Sequence, residues 1–488
     1  MHRFINVARW SSTEQFHAAY DDGFRALVSQ PAWAEFPHSP FLYEVIHEGA
    51  LRARLRLKAG HSHEALRSAI LSSSHKGTQM KRLLKFVGYV VLVAIAGVAG
   101  FAGYVAITGI PTYSPGHIVL KVEPTPARIE QGRKYASMLC VSCHLDPVTG
   151  KLTGKRLADT PASFGEAYSK NITRDPNYGI GSWTDGELVY LLRTGITRTG
   201  RYTPPWMPKY PHMSDEDLAS IIVFLRSDDP VVASASVNPP GVSKPSFLTK
   251  LLTHLVFKPL PFPKGPIATP AVNDQLAYGR YLVVNLGCFS CHSADFRRMN
   301  ELEPEKSAGF LGGGNPLQDE SGQIVLSANL TSDETGLAHW SEADFTRALR
   351  TGILPDNTVV RYPMTPAPEL TEADTSAIYA YLRSVPKIHN QVPRKEAPPV
   401  AAGKDQGKTL YYHYGCNSCH GDKGVGVADL RRATLDYPTD ARLEAFIRHA
   451  PAFKPGTKMP AWNGIIADSE YSPLIGYVRE LARGAEVH

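Results

Sequence analysis

The clearest pattern along the chain is a long apolar stretch near its beginning. Residues 86–110 carry no charge, and Lys81, Arg82 and Lys85 stand directly before them. At about 1.5 Å per residue, a helix of this length crosses a hydrocarbon core of about 30 Å. We therefore predict a transmembrane anchor over residues 81–111. Because basic flanks stay cytoplasmic, the rest of the chain is expected on the periplasmic side of a bacterial inner membrane.

The alternative to an anchor is a cleaved signal peptide. Such peptides have a shorter apolar region of about 7 to 15 residues and a small-residue cleavage site, which is not evident here, so we favour the anchor. Residues 1–79 form an unassigned extension without a recognisable motif. Met80-Lys81-Arg82 resembles the start of an exported protein, so a misassigned start codon remains an alternative to a cytoplasmic extension.

Two proline-rich stretches divide the chain beyond the anchor, at about 237–270 and 392–400. Proline at this density favours extended linkers. We predict three domains around these linkers, at 112–236, 268–390 and 402–488. The length of 488 residues, with 43% hydrophobic and 20% charged positions, also fits about three folded domains.

The first two of these segments contain an internal repeat. Residues 171–196 (NITRDPNYGIGSWTDGELVYLLRTGI) match residues 329–353 (NLTSDETGLAHWSEADFTRALRTGI). The same spacing separates a tryptophan, an arginine and a methionine in both copies, namely Trp183, Arg193 and Met207, and Trp340, Arg350 and Met364. The third segment lacks the Asn-x-Thr block and is a shorter version of the same unit.

Each copy is predicted to hold two capped helices, so the fold class is mainly α. Thr184 and Ser341 cap the first helix, and a glycine ends it. The second helix opens at Ser214 and at Thr371. Its apolar face is Leu218, Ile221, Ile222 and Leu225 in one copy and Ala377, Ile378, Tyr381 and Leu382 in the other. A further helix precedes each cysteine pair, with a glycine that allows close helix approach at Gly132, Gly279 and Gly407.

The charge and the cysteine content of the chain argue against two classes of protein. The net charge of +6 is spread thinly, without the Lys/Arg runs of a nucleic-acid-binding arm, so we assign no nucleic-acid partner. Six cysteines are too few for a disulfide scaffold in a chain of this length. Their common spacing indicates a cofactor instead.

All six cysteines fall into Cys-x-x-Cys-His motifs, which attach haem c through two thioethers and supply a proximal histidine to the iron. The motifs are Cys140-Val-Ser-Cys143-His144, Cys288-Phe-Ser-Cys291-His292 and Cys416-Asn-Ser-Cys419-His420. A single Cys-x-x-Cys would leave a zinc site or a redox pair open. Three copies, each with its histidine, predict three covalently bound haem c groups, one in each domain.

A methionine sulfur on the far side of the iron closes the haem and suits it for electron transfer. Met459 is the one methionine after Cys416 and is the candidate for the third haem. Met364 is preferred for the second haem. For the first haem we favour Met207 over Met213, because Met207 aligns with Met364 across the repeat.

Two other repeated residues receive weaker assignments. Arg193 and Arg350 stand at the ends of equivalent helices, where they are expected either to pair with haem propionates or to lie in solvent. Trp183 and Trp340 are assigned to core packing in preference to electron relay.

At this point the chain resembles a known family, the trihaem cytochrome c subunits of membrane-bound bacterial dehydrogenases of the alcohol, gluconate and sorbitol type. The resemblance covers about 125–485. Its marks are Asn171-Ile-Thr, Gly179-Ile-Gly-x-Trp183-Thr, the Arg-Thr-Gly-Ile of 193–196 and 350–353, and three haem motifs in order. It implies that electrons arrive from a periplasmic dehydrogenase subunit and leave to membrane quinone or a terminal oxidase.

The leading hypothesis is thus a non-catalytic electron-transfer subunit with His144, His292 and His420 paired to the three methionines. The competing hypothesis is a haem enzyme of the peroxidase or thiosulfate-oxidising type, in which one axial position is open or displaceable. No other catalytic arrangement is apparent in the sequence.

Overall fold

The structure, a computed structural model, describes residues 63–319, 322–394, 400, 402–426 and 428–485. Residues 1–62 of the predicted extension at 1–79 lie outside the described residues. The fold is mainly helical, as the sequence predicts. Its helices are α1 (His63–Thr108), α2 (Pro126–Leu139), α3 (Val141–His144), α4 (Asp185–Thr194), α5 (Asp215–Leu225), α6 (Phe247–Leu255), α7 (Gln275–Asn285), α8 (Cys288–His292), α9 (Glu342–Thr351), α10 (Glu372–Ser384), α11 (Gln406–His413), α12 (Asn417–His420), α13 (Ala433–Asp436), α14 (Asp440–Phe453) and α15 (Tyr471–Ala485).

Helix α1 contains the apolar stretch. Its part from Leu84 to Thr108 has a mean hydropathy of 2.4 and is long and apolar enough to cross a membrane. The helix ends where Gly109 takes a positive φ of 72° and a proline follows two residues later. Glycine adopts this conformation without steric cost, and proline cannot extend the helix.

The predicted close approach of helices at glycine is confirmed in all three haem-motif segments. A Cβ at Gly132 would lie 1.9 Å from the carbonyl oxygen of Ser220, and one at Gly279 would lie 1.9 Å from that of Ala377. In the third segment, a Cβ at Gly407 would lie 2.1 Å from the carbonyl oxygen of Pro473. The helix before each cysteine pair therefore crosses the last helix of its segment in backbone contact, as α2 on α5, α7 on α10 and α11 on α15.

The predicted helix boundaries of the repeat are also confirmed. Thr184 and Ser341 form capping boxes at the starts of α4 and α9. Gly195 and Gly352 end these helices in the left-handed conformation, with φ of 81° and 77°. The eight residues predicted to form the apolar faces of α5 and α10 are all buried.

The described residues build three hydrophobic cores. The first contains Tyr135, Leu188 and the apolar face of α5, and the second contains Leu282, Phe345 and the apolar face of α10. The third is built from α11, α14 and α15 and also takes in Ile353 from the second segment. Two small antiparallel sheets complete the fold, one pairing Gly165–Glu166 with Lys244–Pro245 and the other pairing Pro316–Gln318 with Ile324–Leu326.

Candidate haem-binding sites

Each Cys-x-x-Cys-His motif forms a single helical turn, in α3, α8 and α12. This turn brings the two sulfurs, three positions apart, onto one side of the backbone. None of the six cysteines is in a disulfide bond. Burial raises the pKa of the Cys140, Cys288 and Cys416 thiols to about 12.

A structural zinc site takes four protein ligands. Within the described residues, no group of three or more His, Cys, Asp and Glu side chains is placed to hold a metal ion. Each motif offers two thiols and one histidine, which is the donor set that attaches haem c.

The three motif histidines are held in one common way. The Nδ1 atom of His144 lies 2.6 Å from the carbonyl oxygen of Lys170, and the equivalent distances are 2.8 Å from His292 to Ala328 and 2.8 Å from His420 to Ala428. Because a carbonyl only accepts, Nδ1 must donate its hydrogen. The Nε2 lone pair is then free for iron.

The electrostatics of the histidines agree with this role. Burial lowers the pKa of His144, His292 and His420 below the ordinary value, which keeps the rings neutral. A neutral imidazole with its Nδ1 hydrogen bonded to a carbonyl is the ligand form that iron requires. The donor set in all three motifs thus fits haem c.

The Asn-x-Thr block holds the carbonyl that orients the first two histidines, a role that sequence reasoning did not assign. The side-chain oxygen of Asn171 accepts from the backbone and hydroxyl of Thr173 at 2.9 and 2.7 Å. Asn329 and Thr331 repeat this arrangement at 2.9 and 2.8 Å. Each block follows directly on the residue whose carbonyl accepts from the histidine. Its recurrence in both repeats was the sequence signal for that role.

The methionine candidates lie in loops, as expected, and two of them occupy equivalent turns. The backbone NH of Met207 donates to Pro204 at 3.1 Å, and that of Met364 donates to Arg361 at 2.9 Å. Both side chains are half-buried, as is Met459, which packs against the third core. Met213, by contrast, is fully buried within the first core. Iron ligation by Met207, Met364 and Met459 stays a prediction.

Arg193 is buried within the first segment and is held by protein acceptors. It is 1% exposed, and its Nη1 donates to the carbonyl oxygens of Tyr210, Pro211 and Met213 at 3.1, 3.2 and 2.5 Å. Its Nη2 donates to Asp215 at 2.6 Å. The expectation of a solvated arginine is wrong here, because the guanidinium fixes the loop that follows Met207 from inside the protein.

The first two haem motifs are brought together by a pseudo-symmetric contact between their segments. Lys134 on α2 contacts Asp374 at the start of α10, with Nζ 2.5 Å from the carboxylate. Tyr281 occupies the equivalent place on α7 and donates to Asp217 at the start of α5. Met138, two residues before Cys140, packs against both the first and the second cores, and so does Leu286. The two motifs are therefore neighbours.

Parts of the chain are similar in sequence to known cytochromes c. Residues 276–386 match the family model "Cytochrome c", and residues 402–478 match "Cytochrome C oxidase, cbb3-type, subunit III". The chain is also 30% identical over 266 residues to a "Diheme cytochrome c-type" of Cereibacter sphaeroides and covers 82% of that protein. This chain belongs to the c-type cytochromes. The cytochrome binds haem c covalently and transfers electrons.

Two further relatives are longer matches. The "Alcohol dehydrogenase (quinone), cytochrome c subunit" of Gluconacetobacter polyoxogenes is 27% identical over 372 residues, which are 70% of this cytochrome and 77% of that subunit. The "Fructose dehydrogenase cytochrome subunit" of Gluconobacter japonicus is 29% identical over 346 residues, which are 63% of this cytochrome and 68% of that subunit. The resemblance to dehydrogenase cytochrome subunits predicted from the sequence is confirmed.

Proposed function

We propose that this cytochrome is the membrane-anchored trihaem subunit of a bacterial dehydrogenase. It passes electrons from a periplasmic dehydrogenase subunit to quinone or a terminal oxidase. The observation that carries the proposal is the threefold recurrence of one site, with paired thiols on a helical turn and a histidine whose Nδ1 donates to a backbone carbonyl. The names of the curated relatives, which are cytochrome subunits of alcohol and fructose dehydrogenases, support the choice of partner.

In this proposal the domains at 112–236, 268–390 and 402–488 each hold one haem. The haem supplies reversible one-electron chemistry when it is bound. The two cysteines of each motif would attach the haem by thioethers, and one histidine and one methionine would hold its iron, which suits electron transfer. The residues that would hold the iron are His144 with Met207, His292 with Met364 and His420 with Met459.

Contacts between the segments support stepwise transfer among the three sites. Met138 and Leu286 each contact the two cores that carry the first and second motifs. Ile353 and Val359, from the second segment, pack against the third core. The carbonyl oxygen of Val360 also lies 4.0 Å from where a Cβ would stand on Gly415, directly before Cys416. The second segment is thus in contact with both of the others.

The proposed membrane side is supported by the charge pattern at the anchor. Basic residues precede the apolar part of α1, which favours a cytoplasmic beginning and a periplasmic haem region.

Purification of the full chain from detergent-solubilised membranes tests the function. We expect a dehydrogenase subunit to copurify, and we expect primary alcohols, aldehydes or sugars, added in turn as substrates, to reduce all the haem. A preparation that turns over hydrogen peroxide with a reduced cytochrome donor, and that contains no dehydrogenase subunit, would instead support the haem-enzyme alternative.

A further inference from the structure

Helix α6, between the first and second haem motifs, has its apolar and polar faces reversed relative to a helix of a soluble domain. Phe247, Leu248 and Leu255 on one face are 46%, 40% and 57% exposed. On the opposite face, Thr249 and Thr253 are 1% and 0% exposed. A helix in water normally buries leucine and exposes threonine. This helix therefore presents its apolar face away from the protein.

The polar face of α6 is fixed to the first haem segment. Ser246 caps the helix, and its hydroxyl also donates to the carbonyl oxygen of Ser163 at 2.7 Å. The Thr249 hydroxyl donates to the carbonyl oxygen of Phe164, also at 2.7 Å. The hydrogen bonds of Ser246 and Thr249 to residues 163–164 thus fix the start of the helix on the first segment.

The exposed apolar face is continuous with the end of the anchor. His254 on α6 donates from Nε2 to the carbonyl oxygen of Gly109 at 3.0 Å, where α1 ends. Its ring also packs edge-on against Tyr104, with centroids 5.5 Å apart, and against Phe101 at 6.5 Å. These aromatic residues lie in the last two turns of the apolar stretch, where a membrane-spanning helix meets the headgroups.

We propose that α6 is an interfacial helix whose apolar face enters the lipid headgroup and acyl boundary of the leaflet in which α1 ends. The proposal rests on the membrane anchoring proposed above. A lipid surface fits because the face is apolar, is left exposed by the rest of the described residues and is joined to the membrane-spanning segment, while Lys250 lies on the helix and the exposed Lys258 follows its end. A chain held at both α1 and α6 keeps its first haem domain at one orientation on the membrane.

The test is photolabelling of the full chain in nanodiscs of phosphatidylethanolamine and phosphatidylglycerol that carry a diazirine on an acyl chain. Peptide mass spectrometry then maps the label. We expect label on the peptide containing residues 247–256 as well as on Leu84–Thr108. The amphipathic helix α15 and the exposed Leu435, which is 68% exposed, serve as internal controls and should stay unlabelled.

The outcomes separate the two proposals. Label on 84–108 without label on 247–256 overturns the interfacial helix and leaves the anchor intact, as expected if a partner protein covers α6. Absence of label from both peptides overturns anchoring and, with it, the interfacial helix. In the double variant Leu248→Glu and Leu255→Glu, label on 247–256 should fall to the level of α15, with unchanged haem absorption. The matched control Leu435→Glu should leave the labelling pattern as it is.

Discussion

The first and second haem segments are copies of one unit, yet the same arginine is used differently in each. In the first segment, Arg193 is buried with four protein acceptors. In the second, Arg350 lines a cavity of about 480 Å³, and its Nε is buried without a hydrogen-bond partner among the described residues. Repetition therefore preserves the residue but not its environment.

The difference arises from what covers each copy. In the first segment the linker lies over the groove between α4 and α5, with Phe262 stacked on Tyr190 and the NH of Ile267 donating to Asp215. In the second segment the equivalent groove faces the third segment, which contributes Lys458 and Met459 to the cavity. The linker covers the first groove, and the third segment covers the second.

We expect the largest loss of stability from substitution of Arg193. Replacing it in Arg193→Leu leaves three backbone carbonyls without their donor, and we expect a loss of about 4 kcal/mol in the free energy of unfolding. Arg350→Leu should cost about 1 kcal/mol or less, because it removes no hydrogen bond to the described residues. Urea unfolding followed by haem absorption and circular dichroism measures both variants. Equal losses would show that the two arginines are equivalent after all.

The helix crossings, unlike the arginines, are the same in both copies. Equivalent substitutions there should therefore have equal effects on stability. Gly132→Ala and Gly279→Ala each place a methyl group against a backbone carbonyl at 1.9 Å. We expect each to lower stability by about 3 kcal/mol through forced separation of the helices. Gly476→Ala is the matched control, because a Cβ there meets nothing within 4 Å. That variant should gain about 0.5 kcal/mol by the same assay.

Substitutions in the contact between the first and second segments should have smaller and unequal effects on stability. Lys134→Met removes the cation beside a carboxylate that is 2% exposed, and we expect a loss of about 2 kcal/mol. Tyr281→Phe removes the hydrogen bond to Asp217 and the acceptor of the Ser214 backbone NH at 3.0 Å, and should cost about 1 kcal/mol. The two substitutions occupy equivalent positions, so equal losses at neutral pH would argue that charge contributes nothing to this contact.

The effect of Lys134→Met should depend on pH. Burial by itself raises the pKa of Asp374, but Lys134 and the hydrogen bonds of Thr371 and Tyr278 outweigh it and hold this pKa below the ordinary value. A depressed folded-state pKa contributes stability above the unfolded pKa of about 4, and that contribution is lost as the pH falls. The difference between the native chain and Lys134→Met should therefore shrink below about pH 4. A difference independent of pH would rule out the ion pair as its cause.

Local structure was predictable from the sequence because local rules determine it. Capping residues at Thr184 and Ser341 and glycine at helix ends gave the boundaries of α4 and α9, and the motif spacing gave the haem sites. The role of Arg193 was not predictable, since it depends on a loop that folds back about it. The exposed apolar face of α6 was not predictable either, because a short leucine-bearing segment does not indicate which face packs against the protein.

The central claim is that three haems, each with a histidine and a methionine ligand, make this cytochrome an electron carrier. Low-temperature electron paramagnetic resonance of the oxidised full chain tests it most directly. We expect three low-spin haems, of which one becomes high-spin in each of Met207→Ala, Met364→Ala and Met459→Ala, whereas Met213→Leu changes none. A high-spin haem in the unmodified resting protein, or conversion by Met213→Leu in place of Met207→Ala, would contradict the account.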